Sequence, residues 1–175
     1  MVTIAVLAIL VTIALPSFSD FFDRYRLRGA VDDVISVIAN ARAEAVKADR
    51  DVNVSIGGTT AAWCVGANAA LEPAAGARAP VATACACTNG AACLVGGQRL
   101  AVDVGKHAGV TVGAVSGNFI FDSKLGMIMP LGTASATFHS PSSKYAMQLN
   151  VNAMGQASAC RPSTQPAITG VPTCP

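Results

Sequence analysis

The first fifteen residues, MVTIAVLAILVTIAL, contain no charge, glycine or proline, and Pro16 follows at once. As a helix rising about 1.5 Å per residue, the run spans roughly 22 Å, short of the roughly 20 residues that cross a bilayer core. A helix apolar on all faces has to be buried on all faces. Met1 to Leu15 therefore reads as a stem whose surroundings, a membrane or a bundle of like helices, lie outside the chain. A cleavable secretory signal would have this apolar length and the small residues Ala14 and Ser17, but no Lys or Arg precedes the run. A buried core helix would leave unexplained why the pattern turns one-sided after Pro16.

Beyond Pro16 the apolar positions fall at Leu27, Val31, Val34, Ile35, Ile38, Ala41 and Ala45. Spacings of three and four place them in one helical stripe. Asp20 and Asp23 precede Arg24, Arg26 and Arg28, and Glu44 precedes Lys47, the order that suits the helix dipole. The helix is expected to end near Ala48, with a kink or loosening at Pro16 and a weaker point at Gly29. Its length, very roughly 70 Å, exceeds what a compact domain of this size needs. Residues 1–50 thus form a helix, with 1–15 the stem and 16–50 amphipathic, and residues 51–175 form a separate head.

The head reads as β. Val52 to Ile56 alternates and is expected to turn at Gly57-Gly58 into a partner strand at Ala61 to Val65 carrying Trp63, the only tryptophan and a core residue. Gly66 to Ala92, rich in Ala, Gly and Pro, reads as a long surface loop. Short β-prone segments follow at Gln98 to Val104, Val110 to Val115, Asn118 to Phe121, Met127 to Met129, Ala134 to His139 and Tyr145 to Val151, and a last one ends at Cys160. The expected class is α+β, a long N-terminal helix packed on an antiparallel sheet.

An apolar stem with Pro at its end, a charged amphipathic continuation and a β-rich head resembles the type IV pilin and type II secretion pseudopilin superfamily. The stretch from Leu27 through Arg42-Ala-Glu-Ala-Val46 to Val52-Asn-Val-Ser-Ile56 resembles more narrowly the GspH/FimT group of minor pilins, as do Phe121, Gly126, Gly132, Phe138, Gly155 and the Cys160 and Cys174 near the end. The resemblance implies a pilin-like fold, no cofactor, an inner-membrane single-pass state with a periplasmic head, and assembly through the helix with other pilins or pseudopilins into a pilus or pseudopilus. It also implies that about six residues of the mature protein and a leader peptide would precede Met1. The family's peptidase site and assembly glutamate are assigned to no residue here.

Six cysteines, Cys64, Cys85, Cys87, Cys93, Cys160 and Cys174, all lie in the head, an even count that suits disulfides in an oxidising compartment. The favoured bridge joins Cys160 to Cys174, because it would clip a proline-rich tail with no periodicity of its own. The other four are expected to pair among themselves across the loop, though Cys85 and Cys87 are too close to bridge to each other easily. The C-x-C spacing lacks the paired C-x-x-C knuckles of a structural zinc site.

Only 13% of the residues are charged, about half the usual share. The head sets Arg78, Arg99, Lys106, Lys124, Lys144 and Arg161 against Asp51, Glu72, Asp103 and Asp122, so no strongly basic domain points to nucleic acid. Its two histidines, His107 in a turn and His139 after a strand, read as surface residues without a role. No phosphate-cradling loop, nucleophile elbow or H-E-x-x-H occurs, so the chain reads as no enzyme, with a periplasmic enzyme the remote alternative.

DNA uptake in natural transformation is the nearer alternative. Some members of the resembled group bind DNA through a Gly-Arg-x-Arg motif, but here the stretch is Gly155-Gln156-Ala157-Ser158. Any contact to phosphates would fall to Lys106, Lys124, Lys144 and Arg161, with His107 beside them. The reading carried forward is a structural minor pilin or pseudopilin, plausibly in an initiating or tip complex.

Overall fold

A computed structural model describes residues 2–70, 85 and 92–175, with the side chains of Val2 and of residues 4–17 left aside. A single helix, α1 (Val2–Lys47), runs for 46 residues and is helical through position 16. It ends in a Schellman motif: Arg50 N–H bonds to Ala45 O, Asp49 N–H bonds to Val46 O, and Asp49 takes the left-handed conformation (φ 49°) that glycine usually supplies.

Among the described residues eleven strands follow. A five-stranded antiparallel sheet has the order β5 (Ala101–Asp103), β2 (Ala62–Ala69), β1 (Val52–Thr59), β7 (Phe119–Phe121), β8 (Ile128–Met129). A four-stranded antiparallel sheet has the order β11 (Ala157–Cys160), β10 (Ala146–Val151), β9 (Ala134–His139), β6 (Thr111–Val115). A ribbon of β3 (Leu94–Val95) and β4 (Gln98–Arg99) stands apart. The expected single sheet is thus two, and α1 packs on both, against β1 and β2 of the first and β10 and β11 of the second.

The helix stripe is what joins them. Leu27, Val31, Val34, Ile38, Ala41 and Ala45 are fully buried, while Ile35 lies at the stripe's edge and is partly buried. Trp63 on β2 meets Phe138 on β9 edge to face at 5.2 Å, and its indole N–H donates to Val110 O at 2.8 Å. A ring from the first sheet is therefore seated in the second, and its polar atom is satisfied there.

Two local expectations change. The first hairpin turns at Thr60-Ala61, with Gly57 opposite Cys64 and Gly58 opposite Trp63 inside the ladder. Gly58 has φ +96°, and a Cβ there would stand 2.1 Å from Ala62 O. Gly58 lets the strands close tightly just before the turn, a Cβ at Gly57 would meet open space, and neither glycine forms the turn. The loop expected from Gly66 begins later, because Gly66 to Ala69 continue β2 and Ala67 is fully buried.

Among the described residues, disulfides join Cys85 to Cys93 and Cys160 to Cys174, with Cα separations of 5.1 and 4.9 Å. Cys64 is also disulfide-bonded, and Cys87 lies outside the described residues. Among the described residues no helix is long and apolar enough to cross a membrane.

Candidate interaction surface along the helix seam

Three lysines of the head reach carboxylates on or just past α1. Lys144 Nζ meets Asp20 Oδ2 at 2.6 Å, Lys106 Nζ meets Asp33 Oδ2 at 2.8 Å, and Lys124 Nζ meets Asp49 Oδ1 at 2.6 Å. Asp20, Asp33 and Asp49 stand 13 and 16 residues apart, so at about 1.5 Å per residue the three contacts are separated by roughly 20 Å each. Arg161, in contrast, turns into its own tail, donating to Pro162 O, Gln165 O and Thr173 Oγ1. The structure therefore strings the three candidate lysines along the seam, each beside an acid, and does not gather them with Arg161 into one cationic face.

These contacts set charge states. The Lys144 hydrogen bond holds Asp20 below the ordinary carboxyl value, and Asp20 in turn raises Lys144. Lys124 is raised by its hydrogen bond to Asp49. Asp33 is lowered first by the hydrogen bond from Lys106, against an opposing cost of desolvation, with His107 adding to the lowering.

For a carboxyl lowered in the folded state, the stabilisation is present above its unfolded value and is lost as pH falls through the folded one. Urea midpoints should thus hold from neutral pH to about pH 5 and fall as pH drops through about 4 and below, and Asp33→Asn should flatten that fall. Equal slopes for the variant and the parent would remove Asp33 from the acid response.

His107 is not an idle surface residue. Only 12% of its side chain is exposed: Nε2 shares a hydrogen bond of 2.8 Å with Asp33 Oδ2, and the ring stacks near Trp63, with centroids 6.4 Å apart. The 105–109 turn is thereby clamped between the helix and the indole. The sequence signal for this was faint, a basic pair in a turn with an acid some 74 positions earlier.

Two arginines of α1 were also missed. Arg42 Nε donates to Gly126 O at 2.9 Å, and Arg28 reaches Thr169 O in the C-terminal tail. Arg42 sits where the 122–127 turn meets the Asn152–Gln156 turn, and both glycines there, Gly126 (φ +62°) and Gly155 (φ +75°), are left-handed. A Cβ at Gly155 would lie 2.6 Å from Gly126 O and 2.8 Å from Phe121 Cε1.

Gly155→Ala should therefore cost about 2–3 kcal/mol, combining an overpacked contact with left-handed strain. Chemical denaturation would read it, and a change below about 0.5 kcal/mol would mean that the turn relaxes freely. The backbone at Gly126 and Gly155 is thus held close to Phe121 and Arg42 with no room for a side chain at Gly155.

The surface otherwise offers shallow grooves. One, of about 250 Å³, is lined by Phe21, Arg24, Tyr25, Arg28, Ile168 and Thr169. Another, of about 510 Å³, runs beside Ile35, Ala39, Arg42 and the Gly155–Ser158 stretch, which supplies amides and a hydroxyl but no cation of its own. Among the described residues no group of three or more His, Cys, Asp or Glu side chains is placed to hold a metal.

No family model matches the chain, and no curated protein matches it. Among solved structures, the type IV minor pilin FimU of Pseudomonas aeruginosa is similar to it with a TM-score of 0.52 at 16% identity, over 83% of this chain and 95% of that one. A second crystal form of FimU gives a TM-score of 0.46 at 14% identity, over 79% and 95%. The first likeness establishes the fold: a long helix packed on antiparallel sheets, as in pilins.

Proposed function

We propose that the chain is a structural minor pilin or pseudopilin of the GspH/FimT kind. It would be held by its stem in the bacterial inner membrane and then packed by the same helix among other pilins in a type IV pilus or a secretion pseudopilus. The observation that carries this is the division of labour within α1. Its stripe from Leu27 to Ala45 completes the head's core, while Val2 stands about 37 Å of helix upstream of Leu27. That upstream half includes the uncharged run to Leu15. Burying such a run releases about 25 cal/mol per Å² of apolar surface, an assembly energy that the head itself does not supply.

Two measurements test the reading. Removing residues 1–16 should leave the head folded, with native circular dichroism and a dispersed proton spectrum, because the core begins at Leu27. Deleting the gene should lower the number of surface pili, or of secreted substrates, and the full chain but not the shortened one should restore it. An unfolded shortened chain, or pili and secretion both unchanged on deletion, would sink the proposal.

DNA uptake finds less support in the geometry, because the three lysines are spaced along the seam and each stands beside a carboxylate. The shortened, oxidised chain should show no binding to duplex DNA at low salt. Binding that weakens steeply with salt would instead favour an uptake receptor.

A further inference from the structure

Four aromatic side chains, Phe18, Phe21, Phe22 and Tyr25, are 52–69% exposed on α1. They form a contiguous patch: Phe21 meets Phe22 edge to face at 5.8 Å and stacks on Tyr25 at 6.3 Å. At about 100° per residue they fall within an arc of roughly 100°, centred opposite the buried stripe of Leu27, Val31, Val34 and Ile38. The patch lies on the side of α1 away from its packed stripe, and Phe21 and Tyr25 also border the groove lined by Ile168 and Thr169 of the tail.

The opposite side at this level is already covered. Lys144 pairs with Asp20, Ser142 N–H donates to Asp23 Oδ2 at 3.3 Å, and Arg24 lies over the Tyr145 ring at 5.5 Å. Only the outward side of residues 18–25 is left to meet something else. Its apolar character also stops abruptly, since the same outward face continues with exposed Asp32, Ser36 and Asn40. A neighbouring helix lying alongside would ask for an apolar stripe over several further turns; a bilayer ends at a plane.

Charge agrees with a bilayer. On α1 near the rings Arg24, Arg26 and Arg28 stand against Asp23 and, further along, Asp32, while Lys144 and Asp20 pair with each other on the opposite side, a small excess of positive charge that suits anionic headgroups. Aromatic rings at the end of an apolar helix, next to basic side chains, match the composition of membrane interfaces.

We propose that Phe18, Phe21, Phe22 and Tyr25 form a lipid-interface seat: this outward patch rests in the headgroup region of an anionic bilayer and sets the depth at which the head stands. The proposal rests on the membrane-held state of the proposed function.

The test uses the full oxidised chain in vesicles of phosphatidylcholine and phosphatidylglycerol, with lipids brominated either near the carbonyl or near the methyl end of the acyl chain. Four variants are compared: Leu10→Trp in the stem, Phe22→Trp and Tyr25→Trp in the patch, and Ser36→Trp on the polar face. Buried Trp63 gives the same background in all of them.

Phe22→Trp should lose emission chiefly to the shallow bromines, Leu10→Trp chiefly to the deep ones, and Ser36→Trp to neither. Quenching at Leu10→Trp without quenching at Phe22→Trp or Tyr25→Trp would overturn the seat while leaving the membrane-held state intact. No quenching at Leu10→Trp would overturn both. Shielding of Phe22→Trp that follows the protein-to-lipid ratio, not bromine depth, would assign the patch to a second copy of the chain and overturn the proposal.

Discussion

Replacing Trp63 with alanine is expected to cost about 3–5 kcal/mol, the range for removing a large aromatic ring from a packed core. The ring is 1% exposed and touches both sheets, meeting Phe138 on β9 and donating to Val110 O. Its loss would open a cavity between the sheets, take a stacking partner from His107, and leave a buried carbonyl without its donor. Against a total stability of about 5–15 kcal/mol the shortened chain would sit near its threshold.

The companion Trp63→Phe keeps an aromatic ring but not the N–H, and should cost about 1–3 kcal/mol. Because the fluorophore itself is changed, far-ultraviolet circular dichroism in urea should follow the transition. A loss for Trp63→Ala below about 1 kcal/mol would mean that the sheets are not joined through this side chain.

Removing the Cys160–Cys174 bridge should have the next largest effect. The two residues are 14 apart, and a closed loop of that size contributes about 3 kcal/mol through the unfolded chain. The native side agrees, because the tail makes few contacts of its own. Arg161 N–H bonds to Pro172 O at 2.7 Å, Cys174 N–H bonds to Arg161 O at 2.9 Å, and Ile168 is buried while Arg28 holds Thr169 O.

Cys160→Ser with Cys174→Ser should therefore lower Tm by about 6–12 °C at this chain length and speed proteolysis within residues 161–175. The paired substitution leaves no lone thiol to reshuffle with the other cysteines. An unchanged Tm would mean that the tail is held by Ile168 and Arg28 alone.

Much of the scaffold was legible because its signals are local. The stripe from Leu27 to Ala45 repeats with the helical period, and each strand after Gln98 has a Gly, Pro, Ser or Asn within two residues of an end, so element types and approximate ends follow from short windows. Where a window misled, a tertiary contact had overruled it. Gly57-Gly58 resembles a turn, yet those residues pair with Cys64 and Trp63 inside the hairpin. His107 looks like a turn residue in water, yet it is held between Asp33 and Trp63.

The candidate surface was legible only in part. Lys106, Lys124, Lys144 and Arg161 could be named as cations from the sequence, but their neighbours could not. The acids that meet Lys124 and Lys144 stand 75 and 124 positions away, and no periodicity relates residues that distant. The aromatic patch was present in the letters FSDFFDRY, but which side it faces depends on where the head docks.

The sequence by itself determined an apolar stem continuous with an amphipathic helix, a β-rich head and a cysteine-clipped tail, because hydrophobic period, turn chemistry and composition act between near neighbours. Only the tertiary structure decided that the strands divide into two sheets joined through Trp63, that each seam lysine meets its own acid, that Arg42 is set between Gly126 and Gly155, and that the aromatic rings are left exposed on the side of α1 away from its packed stripe. Those outcomes depend on side chains far apart in the chain competing for the same space, and that competition is resolved only when the core closes.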